Sequence, residues 1–199
     1  MRLSLVGFMC AVAIAGATSG CVVRVRKPAE PPPPPPPPAV VKEEPKPARK
    51  LRAFKLPEVK NNKVELPGPI LFNEDKATLK PQSFAVLELV AEYLRQTPAV
   101  TKHRIEGHTD TDGDDAHNMA LSKGRAYAVS KWLVSQGIDC NRLVPVGFGE
   151  TRLKVTPERT ADDKATNRRV DFVNAELKGQ AIGGLPIDGG GSPAGNACN

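Results

Sequence analysis

Eight consecutive prolines, Pro31–Pro38, divide this chain into two parts that cannot share one core. Proline fixes φ and offers no backbone N–H, so the run settles into polyproline II, extended at about 3.1 Å per residue, or roughly 25 Å in all. The proline- and charge-rich stretch Lys42–Lys50 keeps the chain extended, because it carries too little apolar surface to collapse. Most prolines precede residue 70, and the periodic apolar segments follow it. The expected organisation is a leader over 1–20, a linker over 21–58, a folded domain over 59–177 and a glycine-rich tail over 178–199. Such a tail is expected to be disordered unless a disulfide pins it. The linker reads as a spacer in preference to a ligand for proline-recognition modules.

The leader has a positive start, Met1-Arg2, an apolar run over Leu3–Ala17, and the small residues Thr18, Ser19 and Gly20. Arg24 and Arg26 follow too soon for a spanning helix. Cys21, directly after Ser19-Gly20, resembles the lipobox cysteine of bacterial lipoproteins, with Thr18 where leucine is usual. The resemblance implies cleavage before Cys21, acylation of its thiol and amine, and, with Val22 in place of an aspartate, delivery to the outer membrane. Multiple acyl chains anchor firmly. Cys10 leaves with the leader and Cys21 is lipidated, which leaves Cys140 and Cys198 in an oxidising compartment; a disulfide between them is expected.

Between linker and tail, apolar periodicity alternates between strand and helix. Val64–Leu66 and Ile70–Phe72 read as short strands around a Leu66-Pro67-Gly68-Pro69 turn. Pro81 opens a helix whose apolar positions are Phe84, Leu87, Ala91 and Leu94, and Pro98 stops it. Lys102–Glu106 is a strand running into Gly107-His108-Thr109-Asp110. Asp114 or Asp115 caps a second helix reaching about Gln136, with Met119, Ala126, Val129 and Leu133 inward and Gly137 as its stop. Leu143–Val146 and Arg169–Asn174 complete the strands, and Pro157–Asn167 has room for a short helix. The fold class is α+β, a mixed sheet with helices packed on one face.

Function concentrates between residues 105 and 125. Asn118 and Arg125 stand seven apart, so both project from nearly the same side of a helix, with Leu121 and Ser122 between them. Asp110 lies just upstream, where a loop can fold it back beside that face. A carboxylate and a guanidinium flanking a shallow site suit a zwitterion, the ammonium on Asp110 and the carboxylate bidentate on Arg125. Taken alone, the pattern favours an internal Asp110–Arg125 salt bridge that merely fixes the loop.

The run Gly107-His108-Thr109-Asp110-Thr111-Asp112-Gly113, then His117 to Val129, Trp132 to Ile138, Arg142 to Glu150 and Asn167 to Phe172, resembles the OmpA-like C-terminal domain. That domain also occurs in peptidoglycan-associated lipoproteins and in the flagellar motor protein MotB. The likeness covers about residues 63–175, with its blocks in order. It implies a two-layer βαβαβ(α)β domain in which Asp110 and Arg125 hold the free amino-acid end of diaminopimelate in the wall peptide. It also implies that Thr109, Asn118 and Leu121 line the site, that Phe72 and Asn73 supply loop contacts, and that Arg168 approaches from the last strand. Leu153 departs from the proline often found after the Gly-Glu turn.

Other chemistry is weaker. His108, Asp110 and Asp112 lack a second histidine at ligand spacing, and His103 and His117 look isolated. The Asp110–Asp114 run has its glycine at the fourth position, two early for a calcium loop, and Leu121 where the terminal glutamate belongs. No serine sits on a nucleophile elbow. The net charge of +6 owes much to Arg24, Arg26, Lys27, Arg49, Lys50 and Arg52; without a basic helix interleaved with aromatics, which make up 5% of the chain, nucleic acid is not an expected partner. The expectation is a non-enzymatic tether without metal or cofactor, its partners peptidoglycan and the outer membrane. A metal-assisted wall hydrolase and an envelope scaffold for periplasmic proteins are the alternatives.

Overall fold

The computed structural model describes residues 56–199; the expected leader, Cys21 and the polyproline run lie outside the described residues. The order is β1 (Glu58–Lys60), β2 (Lys63–Glu65), α1 (Phe84–Gln96), β3 (Val100–His108), α2 (Asp115–Ser135), β4 (Leu143–Gly149), α3 (Ala161–Asn167), β5 (Val170–Leu177), β6 (Gln180–Ala181) and β7 (Ser192–Pro193). The sheet runs β1-β2-β5-β3-β4-β7, with β6 on β5. β3 and β4 are parallel and the other pairs antiparallel, so the sheet is mixed, as expected.

The helices pack on one face. Leu87, Val90, Ala91 and Leu94 of α1 and Ala126, Val129 and Leu133 of α2 join Val64, Ile105, Val170 and Phe172 of the sheet in one buried cluster. These are the helical-period and strand-period positions of the sequence, which is why each element has a single buried side. Below the same face His103 is fully buried, its Nδ1 3.1 Å from Asn174 Oδ1, while the Asn174 amide donates to the Tyr93 hydroxyl at 2.7 Å. Burial pushes the His103 pKa down to about 4.

Two approaches bring α2 against the sheet. A Cβ on Gly107 would lie 2.1 Å from the Ser122 carbonyl oxygen, and one on Gly147 2.6 Å from Ser122 Oγ. The Ser122 hydroxyl instead accepts a hydrogen bond from Gly149 N–H at 2.9 Å. These contacts set where α2 presents its polar face at the ends of β3 and β4. At its start, Asp114 caps α2 by accepting from His117 N–H at 2.9 Å.

The structure corrects two expectations and meets the condition set for a third. Ile70–Phe72 forms no strand, only a bridge from Phe72 to Leu79. The first hairpin turns at Asn61-Asn62, both at positive φ (50° and 65°), a conformation asparagine tolerates; Leu66-Pro67-Gly68-Pro69 is not its turn. The glycine-rich tail is ordered, as expected where a disulfide pins it: Cys140 is joined to Cys198, β7 pairs with β4, and Ala197 is buried. Arg104 donates to the carbonyls of Pro186 and Ile187 at 3.2 and 3.1 Å, and Arg152 to that of Gly189 at 2.7 Å. The tail thereby covers the side of β3 and β4 that carries Arg104 and Phe148. Among the described residues no helix is long and apolar enough to cross a membrane.

Candidate functional site

β3 ends at His108, and the chain then leaves the sheet through Thr109 and Asp110. Thr109 N–H donates to the Gly149 carbonyl at 2.9 Å, which fixes this exit against the end of β4. The Thr109 hydroxyl is buried without a partner. Asp110 is only 6% exposed, and its Oδ2 accepts from Arg168 Nη1. Burial of a carboxylate is costly unless it is paired, and Arg168 supplies the pairing.

Arg125 reaches the same end of the sheet from α2. Its Nε donates to the Lys76 carbonyl at 3.2 Å, and its guanidinium carbon stands 5.3 Å from the centre of the Phe72 ring. The loop carrying Phe72 is closed by Asn73 N–H to the Thr78 carbonyl at 3.0 Å, and tied to α2 by His117 Nε2 and Asp75 Oδ1 at 2.6 Å. Partial burial lowers the Arg125 pKa, against the raising influence of Asp110. Among the described residues Arg125 has no carboxylate at ion-pair distance. The internal Asp110–Arg125 bridge is therefore not formed. Arg168 takes the Asp110 carboxylate, and the desolvated Arg125 guanidinium is left without a counter-ion at ion-pair distance.

Asn118 does not simply line the site. It is 2% exposed, and its amide nitrogen donates toward the Asp110 and Asp112 carbonyls at 3.3 and 3.0 Å and to Glu150 Oε2 at 2.7 Å. It holds the Asp110 loop to the turn after β4. Leu121 is half-buried on the adjoining turn of α2, and Asn73 is exposed on the Phe72 loop.

Sequence reasoning missed the supports behind these groups. Lys164 Nζ meets Asp112 Oδ1 at 2.6 Å, and Glu158 Oε2 accepts from the Thr111 hydroxyl at 2.7 Å. Buried Asn167 accepts from the backbone N–H groups of Lys154 and Val155 at 2.7 and 3.0 Å and so places Arg168. The one legible signal was Thr160 with Asp163, a capping box that starts α3.

Comparison with known proteins decides the family: the OmpA family model matches residues 71–168, which hold Phe72, Asp110, Arg125 and Arg168. Residues 71–168 form an OmpA-family domain. It is 41% identical over 111 residues to outer membrane porin F of Pseudomonas aeruginosa, covering 55% of this chain and 31% of that protein. It is 35% identical over 106 residues to the peptidoglycan-binding protein ArfA of Mycobacterium bovis, covering 53% and 32%. Among solved structures, the peptidoglycan-associated lipoprotein of Burkholderia pseudomallei is 30% identical, covering 52% of this chain and 86% of that one at a TM-score of 0.48. The first curated relatives are matched over 31% to 56% of their own length.

Proposed function

We propose that this OmpA-family domain binds peptidoglycan noncovalently through the diaminopimelate of the stem peptide, and that a lipid on Cys21 ties it to the outer membrane. The observation that carries the reading is the buried Asp110 carboxylate beside the unpaired Arg125 guanidinium, a pair of opposite charges that do not neutralise each other. The free end of diaminopimelate carries an ammonium and a carboxylate on one carbon. Its ammonium goes to Asp110 and its carboxylate to Arg125, with Arg168 turning from Asp110 toward the same carboxylate. The Arg168 side chain is 43% exposed, so the turn breaks no packing. Phe72 and Leu121 flank the aliphatic stem, and Thr109, Asn118 and Asn73 supply or support polar contacts. The 35% identity to a peptidoglycan-binding protein supports the same assignment.

In this reading the protein performs no chemistry on the wall. The lipid confines the domain, the proline-rich linker spans the gap, and confinement raises the effective concentration of the wall ligand. Periplasmic partner proteins would dock beside wall binding. Titration with stem peptides carrying either diaminopimelate or lysine at the third position tests the site. Binding of the first and at least tenfold weaker binding of the second is expected; equal affinity overturns the assignment. Radiolabelled palmitate should enter the full chain and not Cys21→Ser. Release of soluble fragments from purified wall would instead favour a hydrolase.

A further inference from the structure

The side of the sheet away from the helices holds a second cluster, separate from Asp110 and Arg125. Glu106 of β3 and Asp171 of β5 are direct cross-strand neighbours. Like charges placed opposite each other destabilise a sheet unless a cation sits between them. His108, two residues along β3 and 1% exposed, points into the same spot, and neither of its ring nitrogens has a hydrogen-bond partner. Its Nε2 lies 3.6 Å from Glu106 Oε2 and 3.7 Å from Asp171 Oδ2, too far for a hydrogen bond to either. One ligand atom from each residue fits within a 4.8 Å set. Ligands at about 2.0–2.2 Å from a tetrahedral zinc ion stand about 3.3–3.6 Å apart, so a small inward movement of the carboxylates closes the site.

We propose that Glu106, His108 and Asp171 form a site for a divalent transition-metal ion of the zinc class, which ties β3 to β5 beneath the C-terminal tail. One imidazole and two carboxylates, with solvent in the fourth position, suit such an ion better than calcium or magnesium, which take oxygen ligands. The ring of His108 is held by stacking on Phe148, the centroids 5.3 Å apart and the planes 8° from parallel. Arg104 holds the other oxygen of Glu106, and Lys63 holds that of Asp171 at 2.8 Å. Arg169 Nε also donates to Asp171 Oδ2 at 2.9 Å, leaving that oxygen a second lone pair for the ion. Asp171, with Lys63 and Arg169, also lines a neighbouring cleft of about 530 Å³. Lys63, 34% exposed, stays on the other carboxylate oxygen, and its positive charge beside the site opposes the incoming ion. The sequence could not show this site, because Asp171 is far from Glu106 and His108 along the chain and reaches them only through the β3–β5 register.

The test uses the full chain with the thiols of Cys10 and Cys21 alkylated, titrated with cobalt(II) and, in competition with a chromophoric chelator, with zinc(II). One equivalent bound, with visible cobalt absorption, is expected. His108→Gln should abolish the absorption and Asp171→Asn should weaken binding at least tenfold, while His117→Gln leaves both unchanged. Lys63→Gln should tighten binding several-fold, a result that loss of folding cannot mimic. In the unsubstituted protein, zinc should shift the imidazole nitrogen resonances of His108. No bound equivalent, equal binding by the His108→Gln protein, or an unmoved His108 resonance overturns the proposal. The cluster is then a salt-bridge network around a histidine.

Discussion

Replacing Gly107 by alanine tests whether α2 lies against β3 as closely as the site requires. The added Cβ would stand 2.1 Å from the Ser122 carbonyl oxygen and 2.9 Å from its carbonyl carbon, both backbone atoms of a 21-residue helix. No side-chain rotation relieves that overlap, so the helix must retreat by about 1 Å. Overpacking of a core commonly costs about 1–3 kcal/mol, and a backbone clash belongs at or above the upper end. With roughly 2–4 °C per kcal/mol for a domain of this size, the melting midpoint should fall by about 6–12 °C. Gly137→Ala is the control, since nothing lies within 4 Å of its Cβ and only the strain of a φ of +85° is added. That change should cost roughly 1–2 kcal/mol. Thermal unfolding followed by circular dichroism reads both. Because α2 carries Asn118 and Arg125, Gly107→Ala should also weaken wall binding at temperatures where the protein remains folded. A Gly107→Ala protein that melts within 2 °C of the parent would refute the close packing and the placement of Arg125 that depends on it.

Stability should fall on acidification from pH 6.5 toward 4, because His103 stays neutral in the fold to about pH 4 while the unfolded chain protonates near 6.5. The difference is worth roughly 3 kcal/mol, present in full above pH 6.5 and lost as pH falls. Urea midpoints across that range should fall less steeply for His103→Gln; an unchanged slope would contradict the buried neutral imidazole. The Cys140–Cys198 bridge closes a segment with a sequence separation of 58, for which loop entropy gives roughly 4 kcal/mol. Paired Cys140→Ser and Cys198→Ser substitution should lower the urea midpoint accordingly and increase proteolysis of the tail, and mass mapping without reductant should recover the linked peptides from the parent. Wall binding should persist, since no Asp110 or Arg125 contact involves the tail.

Legibility followed the range of the interactions. α1 and α2 were readable because Leu87, Ala91 and Leu94, and Ala126, Val129 and Leu133, repeat at the helical period, with Pro81 and Asp114 marking the starts. Strand β3 was readable in part; it extends to Val100 and His108 because β4 and β5 flank it on both sides. The first hairpin was misplaced because two prolines at Pro67 and Pro69 looked like a turn, whereas Asn61-Asn62 makes it. The tail defeated composition: its glycines suggest disorder, yet Arg104, Arg152 and Cys140 hold it from distant positions. In the site, Asp110 and Arg125 came from the motif. The Arg168 contact, the use of Asn118 as a brace and the support from Asn167 depend on pairings that no local pattern records.

The most direct measurement is co-sedimentation of the full chain with purified diaminopimelate-containing sacculi, beside Asp110→Ala and Arg125→Ala. Removing one partner of a desolvated charged contact costs about 2–5 kcal/mol, enough to move most of the protein from pellet to supernatant. The account predicts that the parent pellets and that both variants, shown to be folded by circular dichroism, stay in the supernatant. A parent that remains soluble, or variants that pellet as well as the parent, would contradict it.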